Sequence, residues 1–159
     1  MSQTNNHDLI GLTDVAVRLP KLIGKLPHIA VGLTQAYFRT ASTPAGLALA
    51  FEKAVKHNPT GHALLFEDQK YSYIALNDWA NQIAHFYLAQ GAKKGDVIAV
   101  MIENRPELVA TIVGLAKIGV TIALVNTSQI AKVLAHSINL VNPIAVIAGE
   151  EVRAAIDEV

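Results

Sequence analysis

Asp96-Val-Ile-Ala-Val-Met-Ile102 is the stretch whose reading decides the fold. The unbroken apolar run Val97–Ile102 is entered from a glycine at Gly95 and left through Glu103-Asn-Arg-Pro106. A run this short between two breakers predicts a strand rather than a helix, and one buried on both faces because no polar residue alternates within it. Such strands occur where helices cover both sides of a parallel sheet, so helix and strand must alternate downstream. Pro106 opens a helix to Ile118, with Leu108, Ile112, Leu115 and Ala116 predicted inward, and Gly119 ends it. Thr121–Val125 predicts a second buried strand, Ile130–Val141 a helix, Ile144–Ile147 a third strand, and Glu150 the start of a last helix. Short loops between these elements predict right-handed βαβ crossovers and a parallel sheet.

Upstream of this run the pattern is less regular. Thr43-Pro44 reads as an N-cap and first-turn proline opening a helix over Ala45–His57, which Asn58-Pro59-Thr60-Gly61 stops. His62–Glu67 and Tyr71–Tyr73 predict two short strands joined by a polar turn at Asp68-Gln69. Ser72 is placed to cap a helix over Ile74–Gln90, with Leu76, Trp79, Ala80, Ile83 and Tyr87 on one face and Gly91 as its stop. The fold class is therefore α/β: an N-terminal helical segment and a short strand pair, followed by βαβαβα units with a parallel sheet.

Residues 1–42 form a separate N-terminal segment and residues 43–159 the α/β part. Leu9 to Arg39 is helical in pattern but broken by Pro20 and Pro27. Leu19, Leu22, Ile23 and Leu26 make one apolar stripe, and Arg18, Lys21 and Lys25 lie on a neighbouring face. A stripe packed on its own domain with solvated lysines outside is one reading. A helix lying on an anionic membrane surface is the other. Pro20 and the shortness of the stripe favour the first.

Lys plus Arg and Asp plus Glu both number 13, so no bulk field attracts nucleic acid, and none is expected as a partner. The balance is uneven: residues 1–62 carry 6 basic and 3 acidic groups (+3), residues 63–159 carry 7 and 10 (−3). The absence of Cys excludes a disulfide scaffold, a cysteine zinc site and a thiol nucleophile. The polar N-terminus has no basic region before an apolar run, so a secretory signal is not expected and the chain reads as cytoplasmic. No stretch is long and apolar enough to span a bilayer. Charged residues are only 16% of the chain, below the about 25% of an average soluble domain. Together with a final helical pattern that stops at Asp157-Glu158-Val159 without a cap, this reads as a piece of a larger protein.

Chemistry-bearing motifs are sparse. Gly91-Ala-Lys-Lys-Gly95-Asp96 is basic and glycine-bearing, but it lacks the spacing and the hydroxyl of a phosphate-binding loop, and reads as a helix stop with Asp96 as a turn acid. No Gly-x-Gly-x-x-Gly follows a strand. The histidines have no metal-ligand spacing, and His136-Ser137 shows no oriented base beside a nucleophile. His136 reads as a packed helix residue. Glu150-Glu151 is most simply charge compensation at a helix start. No catalytic residue and no metal ligand is expected in this chain.

Tyr71-Ser-Tyr-Ile-Ala-Leu76, Gly91 through Val100, Glu103-Asn-Arg-Pro-Glu107, Gly114-Leu-Ala-Lys-Ile-Gly119 and Leu124-Val-Asn-Thr127 occur in an order that resembles the N-terminal part of the AMP-forming adenylate ligases. Val125-Asn-Thr127 followed by His136-Ser137 is similar to the long- and very-long-chain acyl-CoA synthetase and fatty-acid transport protein branch. Ile130 departs from it, since the branch usually has an arginine there. The resemblance covers about residues 62–153.

The resemblance implies that a longer parent chain joins a fatty acid to coenzyme A in two steps. ATP and the carboxylate first give an acyl-adenylate and pyrophosphate; coenzyme A then takes the acyl group. It implies ATP, Mg²⁺ and coenzyme A as cofactors of that parent, none of them bound tightly by this segment. The family's phosphate loop, Thr-x-Glu segment, ribose-binding Asp and C-terminal lysine all lie further along, so the segment alone is expected to be structural and inactive. Its partners would be the rest of the ligase, the fatty acid, and an anionic membrane surface on whose inner face it sits peripherally. Two positions match coenzyme A contacts of related synthetases: Thr127 in the turn after a strand, and Arg153 on the following helix. A second arginine there would fall at Ile156. Read from the residues alone, Asn126 and Thr127 cap the next helix, and Arg153 is a surface arginine. A complete, non-catalytic α/β module that binds a membrane or a partner is the alternative to the ligase reading.

Overall fold

The computed structural model describes residues 26–37 and 46–159. The chain divides into two units, Met1–Thr43 and Pro44–Val159. Helix α1 (Leu26–Tyr37) belongs to the first. Pro27 stands in its first turn, where a missing N–H leaves no bond unmade. This proline therefore begins a helix instead of kinking one. Arg18, Lys21, Lys25, most of the predicted apolar stripe, and the Thr43-Pro44 cap lie outside the described residues.

In the second unit, α2 (Leu47–His57) starts two residues later than the sequence predicts, with Gly46 in the N-cap position. β1 (His62–Phe66) and β2 (Gln69–Ser72) pair antiparallel, and Phe66 is already opposite Gln69. The turn is thus Glu67-Asp68, one residue earlier than predicted, and Glu67 takes the left-handed conformation at φ 51°. Ser72 caps α3 (Tyr73–Ala89), its Oγ accepting from the Ala75 amide at 3.2 Å. Gly91, at φ 90°, ends that helix in a conformation open to glycine.

β3 (Val97–Met101) is the centre of a three-stranded parallel sheet in the order β4-β3-β5. It pairs Val97 with Thr121 through Val100 with Leu124 on β4 (Thr121–Leu124), and Ile98 with Ala145 through Met101 with Ala148 on β5 (Ala145–Ala148). Side chains alternate across the sheet. Ile98, Val100 and Ile102 pack with Ala92, Leu115 and Val120 on one face. Met101 packs with Leu134 and Val152 on the other. Leu115 belongs to α4 (Pro106–Lys117) and Leu134 to α5 (Ala131–Val141), so these helices cover opposite faces. A short 3₁₀ turn (Glu150–Val152) and α6 (Arg153–Asp157) join the α5 side.

Two sequence expectations need correction. β4 is not buried on both faces as β3 is: it is an outer strand, with Leu124 at 62% exposure, and β5 on the other flank leaves Val146 at 36%. The buried positions of α4 are Pro106, Ala110, Thr111, Val113, Gly114 and Leu115, while Leu108, Ile112 and Ala116 are only half-buried. The cause is that α4 is covered twice, by the sheet and by α3, so the buried arc is wider than one stripe.

The α3–α4 contact is close at one point. A Cβ on Gly114 would stand 2.6 Å from the Ala80 carbonyl oxygen and 3.1 Å from Ile83 Cβ. One turn along, the Lys117 ammonium, on a side chain 10% exposed, donates to Asn77 Oδ1 at 2.7 Å and Asn81 Oδ1 at 2.8 Å and lies 3.3 Å from Glu52 Oε1. One cation thereby ties α2, α3 and α4 together.

Gly114→Ala is expected to destabilise the chain by about 1–3 kcal/mol through overpacking, seen as a lower urea midpoint at unchanged slope. An unchanged midpoint would mean that the helices part freely. Lys117→Ala removes the donor from both asparagine amides and is expected to cost about 1–3 kcal/mol in the same measurement.

Candidate functional site

Because α4 and α5 leave for opposite faces, the chain segments after β3 and β4 diverge at the carboxyl end of the sheet. Between them lies an open cleft of about 500 Å³. Open parallel sheets characteristically hold ligands at this position, where neighbouring connections part. Val100, Ile102, Leu108, Leu124 and Val125 supply its apolar lining. Glu103 and Asn104 after β3 face Asn126 and Thr127 after β4 as its polar part.

The Asn126–Ser128 turn is built by one side chain. Asn126 Oδ1 accepts from the Ser128 amide at 2.9 Å and from Ser128 Oγ at 2.8 Å, and the Gln129 amide reaches the Asn126 carbonyl at 3.1 Å. This replaces the expectation that Asn126 and Thr127 cap the next helix. The N-cap position of α5 is Ile130, which makes no side-chain cap bond. Asn126 instead shapes a turn two residues long, an Asx-type arrangement, and leaves half-buried Thr127 on the cleft.

The other predicted contact lies elsewhere. Arg153 does not line the cleft; its side chain is 69% exposed and pairs with Asp157 at 3.6 Å, one helical turn on. His136 is exposed on α5, contrary to the packed position expected for it. Leu134 and Ile138 face the sheet, and a residue midway between them points away. Asp96 does act as a turn acid, accepting from the Lys93 amide at 2.7 Å.

Sequence reading missed a second polar group at the carboxyl end of the sheet. Glu151 is not a mere helix-start charge. Its Oε1 accepts from the Glu103 amide at 2.8 Å, and its Oε2 lies 3.1 Å from Arg105 Nη2. The Glu103 amide first, then its own backbone amide, hold the Glu151 carboxyl below the usual carboxylate range; partial burial opposes this and the Arg105 charge adds to it. No local signal marks the pair, since 48 residues separate Glu103 from Glu151.

Among the described residues no three His, Asp or Glu side chains come together as a metal-binding group, and no helix is long and apolar enough to cross a membrane.

An open parallel sheet with a cleft at its carboxyl end is an α/β architecture whose ligands, where it has them, are held at that end. The chain belongs to the AMP-binding enzyme family, whose model matches residues 51–159. It is 28% identical over 152 residues to the medium/long-chain-fatty-acid–CoA ligase FadD6 of Mycobacterium tuberculosis, a match covering 96% of this chain and 26% of the relative. It is 32% identical over 117 residues to long-chain fatty acid transport protein 6 of Mus musculus, covering 71% of this chain and 19% of that protein. The inhibitor-bound N-terminal domain of FACL13 from Mycobacterium tuberculosis superposes with a TM-score of 0.66 at 25% identity, over 69% of this chain and 28% of that one. The chain thus spans about a quarter or less of the length of these curated relatives.

Asn126→Ala is expected to release both Ser128 donors and to cost about 1 kcal/mol. Large amide shifts at Thr127 and Ser128, with those of β5 unmoved, are the expected NMR result; unchanged Thr127 resonances would show that the backbone alone holds the turn.

Proposed function

We propose that this chain is the N-terminal portion of an ATP-dependent long- or very-long-chain fatty acid–CoA ligase. It builds one sheet of the adenylating domain and supplies one wall of the coenzyme A path. The observation that carries the reading is the family match over residues 51–159, joined to a cleft at the carboxyl end of the sheet. The cleft's chemistry supports the coenzyme A part. Its apolar lining beside Asn104, Asn126 and Thr127 suits an amide-bearing aliphatic arm such as pantetheine. Glu103 on the same cleft opposes a phosphate, which places the nucleotide end of coenzyme A outside it.

In this reading Thr127 contacts the arm. Arg153 reaches a phosphate only by leaving Asp157. ATP and Mg²⁺ are handled by the rest of the parent chain, and the segment alone is inactive. A peripheral contact of the parent with the inner, anionic face of a membrane, the less favoured of the two readings of the N-terminal segment, would rest on Arg18, Lys21 and Lys25.

The test compares fatty-acid-dependent pyrophosphate release by the protein as its native cell produces it with release by the 159-residue chain. Release by the first and none by the second is expected. A native product of 17.0 kDa that releases none would overturn the ligase reading in favour of a non-catalytic binding module. For the membrane contact, sedimentation with phosphatidylserine vesicles is expected to weaken as salt rises and to be lost when Arg18, Lys21 and Lys25 all become Glu. Binding that ignores both would sink it.

A further inference from the structure

The wall of the cleft after β3 is gripped from the far side of the sheet. Glu151 follows β5, yet its carboxylate holds the Glu103 amide at 2.8 Å and the Arg105 guanidinium at 3.1 Å. These two groups flank Asn104, so one carboxylate fixes both ends of the cleft-lining segment. The platform beneath it is fixed as well, because the Gly149 amide donates to the Met101 carbonyl of β3 at 2.9 Å. The carboxylate lies directly over Gly149, where a Cβ would overlap it. A side chain at residue 149 would therefore have to push the carboxylate from this position. Arg105 is also the N-cap residue of α4, and its Nε lies 3.7 Å from Glu107. At 3.1 Å against 3.7 Å, the Glu151 contact is the shorter of the two ion pairs of Arg105.

We propose that Glu151 is a positioning residue of the cleft: from the β5 side it sets where the Glu103–Asn104 wall stands relative to Asn126 and Thr127. This deepens the reading of the cleft as the coenzyme A wall and rests on it for the ligand. The grip itself is a property of the described residues. A charge-assisted bond to a backbone amide is among the stronger hydrogen bonds, and this one joins the connections after β3 and β5, which β-pairing does not reach. The charged groups around the carboxylate are Arg105 and, beyond it, Glu107 from the first turn of α4; Glu103 lies in the loop, and Glu150 precedes Glu151 in the chain. Since the folded-state carboxyl titrates below its ordinary range, the grip is complete above that range. It is lost only as pH falls through the lowered value.

The experiment follows the amides of Glu103 and Asn104 by NMR in the 159-residue chain, with coenzyme A as the probe ligand. Glu151→Ala is expected to speed exchange of both amides by about tenfold, to leave Val100 on β3 unchanged, and to weaken coenzyme A binding. Gly149→Ala, which displaces the carboxylate without removing it, is expected to do the same. Glu151→Gln still accepts from the Glu103 amide and is expected to restore slow exchange. It should also abolish the acid-range shift of the Glu103 amide proton seen in the unaltered chain. Unchanged exchange in Glu151→Ala, or an acid-range shift that survives in Glu151→Gln, would overturn the proposal. Only weak binding is expected of the segment alone: if saturating coenzyme A leaves the Asn104 and Thr127 resonances of the unaltered chain unmoved, the cleft reading falls, while the exchange and pH data still decide the grip.

Discussion

The pairing of β3 on both sides is the constraint from which the rest of the second unit follows. An interior strand has every backbone polar group engaged by its neighbours, so it can be stripped of water on both faces without leaving an unsatisfied donor or acceptor. Ile98, Ala99, Val100 and Met101 are almost wholly inaccessible. Each apolar face then demands a cover. Ile98, Val100 and Ile102 recruit the α4 side, and Met101 recruits the α5 side. With β4 on one flank and β5 on the other, the two crossovers must travel in opposite directions over opposite faces.

That divergence makes the cleft without any dedicated ligand-binding motif. The segments leaving β3 and β4 cannot pack against one another while their helices lie on opposite faces, so space remains at the carboxyl end. Side-chain hydrogen bonds then shape its walls: within one loop Asn126 folds the turn that carries Thr127, and from the β5 side Glu151 holds the segment that carries Asn104. The packing beneath is less forgiving. Gly114 lets α4 come against Ala80 on α3, and Lys117 joins the same helices to α2 through amide oxygens and Glu52. These contacts stiffen the α3–α4 side, whereas the outer strands leave large apolar side chains such as Leu124 and Val146 exposed.

The elements most legible in the sequence were those whose cause is local. Ser72, Gly91, Pro106 and Gly119 act at helix ends through their own backbone chemistry, and each stands where its residue type predicts. The run Val97–Ile102 was legible because doubly buried strands need no polar alternation. The same rule overreached at Thr121–Leu124: an apolar run tells that a strand can be buried, not that neighbours exist on its far side. α4 departed from its predicted stripe for a related reason, since a second helix widened the buried arc. Of the candidate cleft, the sequence singled out Thr127 only by resemblance, its residue-level reading being a helix cap, and the residues across the cleft from it carried no signal.

By itself the sequence determined the α/β class, the order of elements, their stops and the AMP-binding family to which residues 51–159 belong. Periodicity, caps and breakers act over a few residues, and a family's motif order is a linear property. Only the tertiary structure decided that β3 is central, that α4 and α5 part across it, and that Glu151 holds Glu103 and Arg105 while Arg153 turns outward to Asp157. These depend on which distant segments the buried strand brings together, and a carboxylate's partner 48 residues away leaves no trace in local sequence.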